Sequence, residues 1–265
     1  MFLQEYSVKG KENKLKNVGD VAAAREYFYR KKPNNLVFLL KKRYSWMNKH
    51  IKKGDKVLEV GCGMGISKEF LRKDFNLILS DVEKHPWVDH VVDALKTNFP
   101  GCSFDVVFCS NMIHHLAFPR KFFVEMSRIL KPGGKLLIQE INCSLMCRVM
   151  LRLLRHEGWS FKKDPFNPKE PMNEPADPWS GNNAIPNLLF DNQEKFEKNI
   201  PEFKIKEQKF SEFLILPLSG GVTAKAKTID PPFFLLKGID KIDGLLVSLM
   251  PKVFALQRRV VLGKI

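Results

Sequence analysis

The chain has 265 residues, 44% of them hydrophobic, and a formal net charge of +15 from 44 Lys and Arg against 29 Asp and Glu. Length and apolar content suffice to bury one full core, and the basic balance favours anionic partners such as nucleic acid, phosphorylated metabolites or an acidic membrane face. Five cysteines at irregular spacing, no charged-then-apolar opening segment and no long uncharged apolar run argue against a secreted disulfide framework and a membrane-spanning helix, so a reduced, cytoplasmic protein is expected.

In chain order, Asp20 is placed to cap a short helix through Arg30, and Asn34 or Asn35 a second helix to about His50, with Leu36, Leu40, Tyr44 and Met47 on one face. These form an N-terminal helical cap, residues 1–53, over the sheet or its ligand. The short basic clusters Lys31–Lys32, Lys41 to Arg43, Lys52–Lys53 and Lys162–Lys163 beside expected helices read as solvated faces. From 56 to 140, β-rich runs at 56–60, 77–80, 90–92, 104–110 and 135–140 alternate with stretches expected to be helical, the pattern of a parallel sheet covered by helices. Lys131, Pro132, Gly133 and Gly134 stop the helix before the last of these strands. This unit, residues 54–142, is the expected core of a single domain.

Residues 143–200 read as a helix followed by a lid or substrate loop, because prolines alternate with polar residues from 160 to 187. Cys143 and Cys147, with His156 nearby, lack the paired spacing of a structural zinc site, and no metal is expected. Residues 201–265 carry two further strands, 203–216 and 254–262, around an insertion, 217–252, whose helix begins after Asp230, Pro231 and Pro232. Leu235, Ile239, Ile242, Leu246 and Leu249 recur there at helical spacing, with Lys237, Asp240 and Lys241 opposite. Packing on its own domain is the first expectation for that stripe; peripheral contact with a membrane through 231–252 is the alternative.

The strongest local pattern is Val57-Leu58-Glu59-Val60-Gly61-Cys62-Gly63-Met64-Gly65, a strand entering a glycine-rich turn. A dinucleotide fingerprint would place a small residue at Ile66 or Lys68, and neither register satisfies it; the lysine and hydroxyl residue of a phosphate loop are missing too. The ligand expected is therefore a nucleoside without a pyrophosphate. Asp81, at the end of the second strand, offers an acceptor-only carboxylate for ribose hydroxyls. Asp93 follows the third strand, where a helix N-cap is the competing reading. The fourth strand runs out through Asn111-Met112-Ile113-His114-His115, and Lys131-Pro132-Gly133-Gly134 introduces the fifth.

In this order, the motifs resemble class I S-adenosylmethionine-dependent methyltransferases over about residues 36–140, most closely the type 11 branch that includes the ubiquinone and menaquinone methyltransferases. The resemblance implies a Rossmann-like α/β fold: a seven-stranded, mostly parallel sheet with an antiparallel C-terminal strand, helices on both faces, and added lid and insertion segments. It also implies S-adenosyl-L-methionine as cofactor and S-adenosyl-L-homocysteine as product. Glu59, Gly61, Cys62, Gly63 and Gly65 would wall the methionine and ribose parts, Asp81 and Val82 the ribose, and Asp93 and Ala94 the adenine, with Asn111 beside them.

Methyl transfer needs a dry pocket, a collinear nucleophile and, for a hydroxyl acceptor, a base. His114, His115 and Glu140 lie at the carboxyl ends of strands, where ligands bind in open α/β sheets. His114 is the first choice; His115 could simply pack beside the cofactor, and Glu140 could serve as a cap or an ion-pair partner. Asp177, Trp179, Asn182 and Asn183 in the lid mix an aromatic plate with neutral hydrogen-bonding groups, which suits a saccharide or lipid-linked hydroxyl or another small acceptor. The basic charge keeps a tRNA or rRNA methyltransferase as a rival, although Ser110-Asn111-Met112-Ile113 is not the motif of enzymes that methylate exocyclic base amines. A non-catalytic binding protein of the same fold is the other alternative.

Overall fold

The computed structural model describes residues 5–7, 20–155, 157–223 and 228–265. Parts of the anticipated N-terminal cap and of the 217–252 insertion, together with His156, lie outside the described residues.

A two-residue strand β1 (Glu5–Tyr6) pairs antiparallel with β7 (Trp159–Ser160). Two helices follow β1, α1 (Val21–Lys31) and α2 (Asn34–Met47). The Asp20 side chain caps α1 by accepting from the Ala23 N–H at 2.8 Å, as its position predicts. Neither asparagine caps α2, which starts behind Pro33 without a side-chain cap bond. Asn35 is buried instead, its side-chain amide donating to the carbonyls of Leu218 and Ile229. A tertiary contact has taken over a group whose local pattern suggests a cap.

The main sheet contains β2 (Lys56–Val60), β3 (Asn76–Asp81), β4 (His90–Val91), β5 (Phe104–Ser110), β6 (Leu130–Ile141), β8 (Phe203–Ser211) and β9 (Gln257–Lys264). Its order is β4-β3-β2-β5-β6-β9-β8; β9 runs antiparallel to both β6 and β8, and the other neighbours are parallel. This is the expected Rossmann-like, mostly parallel seven-stranded sheet, with its antiparallel strand near the C-terminus. The chain runs outward through β2, β3 and β4, then returns to β5 on the other side of β2, so β2 and β5 flank a topological switch point where such sheets bind ligands.

Alternation along the central strands feeds two apolar layers. Leu58, Val60, Val107, Cys109, Leu136 and Ile138 join one cluster. It is covered by α3 (Pro119–Ile129), α5 (Ile185–Phe190) and α6 (Gln193–Asn199) through Phe122, Leu189 and Phe196. Their neighbours Val57, Val106, Phe108 and Leu137 face the opposite layer under α1 and α2, with Phe28, Leu36, Leu40, Tyr44 and Met47. The period of two on doubly covered strands thus places a helical layer on each face.

The connections differ from expectation. After the glycine-rich turn there is only a short 3-10 turn, Ile66–Glu69, and no helix separates β3 from β4 or β4 from β5. The proposed strand at 203–216 ends at Ser211, because its last partner is Gln257, the first residue of β9. Residues Ile215–Leu218 then form α7, whose preceding amides are held by Asp243. The strand proposed at 254–262 is shifted to Gln257–Lys264, since Pro251–Phe254 turns as α9.

The insertion helix is α8 (Phe233–Leu249), with a different inner face from the one its spacing suggests. Leu236, Asp243 and Val247 are buried, Ile239 and Leu246 lie at the seam, and Leu235, Ile242 and Leu249 are exposed. Asp243 decides the rotation: its carboxylate accepts from the amides of Phe213, Leu214 and Ile215 at 3.0, 2.7 and 3.1 Å. That network pins an acidic residue inward and turns part of the apolar stripe outward. α4 (Leu145–Leu154), capped by the Ser144 hydroxyl, follows β6 and packs against α9.

Candidate functional site

A cavity of about 450 Å³ opens at the carboxyl ends of β2, β3 and β5. Its floor is the turn after β2. Gly61 has φ of +68°, and a Cβ there would stand 2.7 Å from Met112 Cγ, so backbone alone can occupy the position. The Gly63 N–H donates to Asp81 Oδ2 at 2.8 Å, and the Gly63 carbonyl accepts from Trp87 Nε1 at 2.7 Å. These bonds fix the turn against the end of β3.

Glu59, Gly61, Cys62, Gly63, Asp81, Val82, Asp93, Ala94 and Asn111 all line this cavity. Gly65 does not. A Cβ at Gly65 would meet Trp87 Cδ1 at 2.4 Å, so this glycine serves the packing of the Trp87 ring behind the turn rather than a ligand. Asp93 accepts from the Leu95 N–H at 2.8 Å in a local turn, and with no helix following, its N-cap reading lapses. Asp81 accepts from Gly63 and Glu83 with different oxygens, and each oxygen retains a second lone pair. Glu59 is 2% exposed and accepts the Ser67 hydroxyl. Burial, aided by the neighbouring Asp81 charge, pushes its carboxyl up to about 8 despite the Ser67 bond. Bare backbone, two acceptor carboxylates and a buried acid that would ionise, releasing its proton to solvent, beside an incoming ammonium suit a nucleoside joined to an amino acid.

The three proposed bases are brought together, but in unequal positions. His114 is 5% exposed and does not line the cavity. Its Nδ1 lies 2.6 Å from Glu140 Oε1, and its Nε2 3.5 Å from Glu157 Oε2. Burial opposes charge on His114, but the Glu140 charge and hydrogen bond, with Glu157 beyond, prevail and raise it to about 9. Glu140 is fully buried, away from the cavity; it also accepts from the Ile113 and Ile141 amides at 2.7 Å each. His114, the first choice for a base, and Glu140 are therefore a buried ion pair beneath the site, with the charge of buried Arg258, opposite Glu140 on β9, adding to it.

His115 alone of the three reaches the cavity. Its ring packs 4.1 Å from that of His114, centroid to centroid. Burial and the adjacent His114 charge hold it down to about 4, so the ring is neutral. His114, His115 and Glu157 offer metal-ligand atoms within 4.8 Å of one another, but the ion pairing of His114 accounts for this grouping. Cys143 and Cys147, the pair weighed for zinc, are free buried thiols beneath α4.

The lid splits in the same way. Asp177 and Trp179 line the cavity, and Trp179 Nε1 donates to Glu83 Oε1 at 3.1 Å, which ties the lid to the end of β3. Asn182 and Asn183 do not reach it. Asn182 bonds both backbone groups of Ser160 and the Ala184 amide, and Asn183 donates to Gly158 and Glu157. Asn182 is satisfied by backbone, whereas Asn183 donates inward with its Oδ1 left buried and unbonded; neither faces the cavity, so both asparagines shape the lid rather than meet an acceptor. Asn173 donates to the carbonyls of His114 and Leu116 and anchors the other end of the lid.

Sequence reasoning missed Tyr44, Arg43, Glu83 and Glu157. Arg43, expected with Lys41 and Lys42 on a solvated face, is buried instead: it lines the cavity and pairs with Glu212, its Nη2 2.8 Å from Oε2, because that interior carboxylate needs a cation. Only Glu83 carried a local signal, two residues after Asp81; the rest arrive from distant elements.

Comparison with known proteins agrees with this geometry. The type 11 family model, described as "Methyltransferase domain", matches residues 58–138. The ubiquinone biosynthesis O-methyltransferase of Azotobacter vinelandii is 31% identical over 118 residues, 38% of this chain and 50% of that protein. The demethylmenaquinone methyltransferase of Renibacterium salmoninarum is 35% identical over 100 residues, 34% of this chain and 42% of that protein. The chain thus spans half or less of the length of these relatives. An S-adenosylmethionine-dependent methyltransferase structure from Archaeoglobus fulgidus superposes with a TM-score of 0.53 at 18% identity, covering 86% of this chain and 93% of that one.

Proposed function

We propose that this chain, which carries a class I S-adenosylmethionine-dependent methyltransferase domain of the type 11 branch, transfers a methyl group to a hydroxyl of a small acceptor with an apolar or aromatic body. The observation that carries the reading is one continuous cavity, with the glycine turn, Asp81 and Asp93 at its floor and His115 and Trp179 beneath the lid. The cofactor supplies an electrophilic methyl on a sulfonium. Asp81 and Asp93 would accept from its ribose and adenine donors, the 61–63 backbone would let it approach closely, and Glu59 would answer its ammonium group.

His115 orients the acceptor. With Nδ1 bonded to the Ser180 carbonyl at 3.3 Å, the Nε2 lone pair is left to take the hydroxyl proton. The His114–Glu140 pair is a positioning element that packs against His115. The lid excludes water through the Trp179–Glu83 bond. An aromatic hydroxyl fits the neutral His115 and the edge of Trp179, 5.9 Å away between centroids. It also agrees with the quinone-related names of the similar proteins. Asn182 and Asn183 withdraw the polar groups that favoured a saccharide.

The test pairs binding with turnover. Calorimetry should detect S-adenosylhomocysteine, and tritiated methyl supplied on the cofactor should enter the small-molecule or lipid fraction of a cell extract. His115→Ala should reduce that incorporation by about 10²–10⁴-fold with little change in cofactor affinity. A protein that binds neither form of the cofactor is not this enzyme. Label found only in nucleic acid would transfer the reading to the rival acceptor.

A further inference from the structure

Two helices outside the cavity share a design that the methyl-transfer reading leaves unused. On α8, Phe234, Leu235, Ile242, Leu245 and Leu249 are exposed, Phe234 by 71% and Leu249 by 69%. At about 100° per residue they occupy one arc of about 100°, with Lys237 and Lys241 along one edge. On α4, Leu145, Val149 and Leu153 are exposed, the last by 69%, and lie within about 80° of one another, with Arg148 and Arg152 along the matching edge. The short helix α9 contacts both α4 and α8, and exposed Met250 and Lys252 lie at that junction.

Arg148 donates to the Cys143 carbonyl and lies over the Phe161 ring, and Arg152 lies over the Tyr6 ring, so the most open cations bordering these faces are Lys237 and Lys241. α4 contains no acidic residue. Of the two acids on α8, Asp240 pairs with Lys42 and Asp243 is buried against the amides of residues 213–215. Single exposed apolar residues are ordinary, but two arcs of large ones bordered by cations on a chain of net charge +15 are not.

We propose that the outward faces of α4 and α8, joined through α9, form a docking surface for an anionic lipid bilayer. The apolar arcs enter the headgroup boundary and the bordering Lys and Arg side chains meet lipid phosphates and carboxylates. A second copy is a poorer occupant, because it would set the same cations against one another. Val222 lines the cavity and also packs with Leu236 on the inner side of α8. The docking does not rest on methyl transfer and is read without it.

The full chain is sedimented with extruded vesicles of phosphatidylcholine alone and of phosphatidylcholine containing about one-third phosphatidylglycerol. Binding should be at least about tenfold tighter to the anionic vesicles and should fall as salt shortens the screening length. Lys237→Glu with Lys241→Glu should weaken it by more than about tenfold, and Ile242→Ser with Leu249→Ser by about tenfold. Both pairs should keep S-adenosylhomocysteine binding and the wild-type melting profile, and the salt series on the unaltered protein stands even if a variant fails to fold. Equal binding to both vesicle types, binding to neither, or a lipid-free dimer that the serine pair dissociates would each overturn the proposal.

Discussion

If Glu59 is held protonated by burial and answers the cofactor's ammonium group, binding must expel a proton. With the carboxyl pushed up to about 8, about nine-tenths of the free protein carries that proton at pH 7. An ammonium beside the carboxylate favours the ionised form and draws its pKa down toward or below the ordinary carboxylate range. Hence close to one proton is released per S-adenosylhomocysteine bound at pH 7, and the affinity rises by up to tenfold per pH unit between about 6 and 7.5. A carboxylate already ionised in the free protein would release nothing and give no pH slope over this range. Calorimetric titrations in phosphate and in Tris, whose ionisation enthalpies differ widely, measure the proton count from the difference in apparent enthalpy. Glu59→Gln should abolish both the buffer dependence and the pH slope. Identical enthalpies in the two buffers for the unaltered protein would refute the assignment of Glu59 as a buried neutral acid facing the ammonium.

Asp81→Ala should weaken cofactor binding by roughly 10–100-fold while the domain still folds, because acceptor bonds to a ligand are lost rather than apolar burial; an unchanged titration would remove Asp81 from the ribose site. Trp179→Phe removes the donor to Glu83 but keeps the ring. It should speed cofactor dissociation roughly fivefold, for a bond worth about 1 kcal/mol, and stopped-flow displacement would expose the error if the rate does not move. Arg43→Met strands Glu212 without its partner in the interior and should cost about 3–5 kcal/mol in urea unfolding. Adding Glu212→Gln should return a large part of that loss, and failure to do so would mean that Arg43 stabilises by packing alone.

The legible part of the molecule was the part whose signal is local. Near-continuous apolar runs at 56–60 and 104–110 coincide with β2 and β5 because a strand covered on both faces requires them. Nothing comparable marks the segments from β3 to β5, where loops stand in place of the expected helices. The two histidines illustrate the limit within the site. Their adjacency at the end of β5 was visible, but a two-residue pattern cannot say which ring turns to the cavity.

The sequence by itself determined the strand order signals, the bare turn at residues 61–63 and the acids at 59, 81 and 93, because each depends on the backbone and side chain of its own short segment. Tertiary structure decided everything that depends on a partner from elsewhere. Glu140 and Glu157 draw His114 inward and leave His115 to the cavity. Backbone from residues 158–160 takes up both polar groups of Asn182 and the side-chain N–H of Asn183. Asp243, bound to the amides of 213–215, rotates α8 so that part of its apolar stripe faces outward. In each case a buried charge or amide had to find partners on a distant segment, and meeting that demand outweighed the local periodicity.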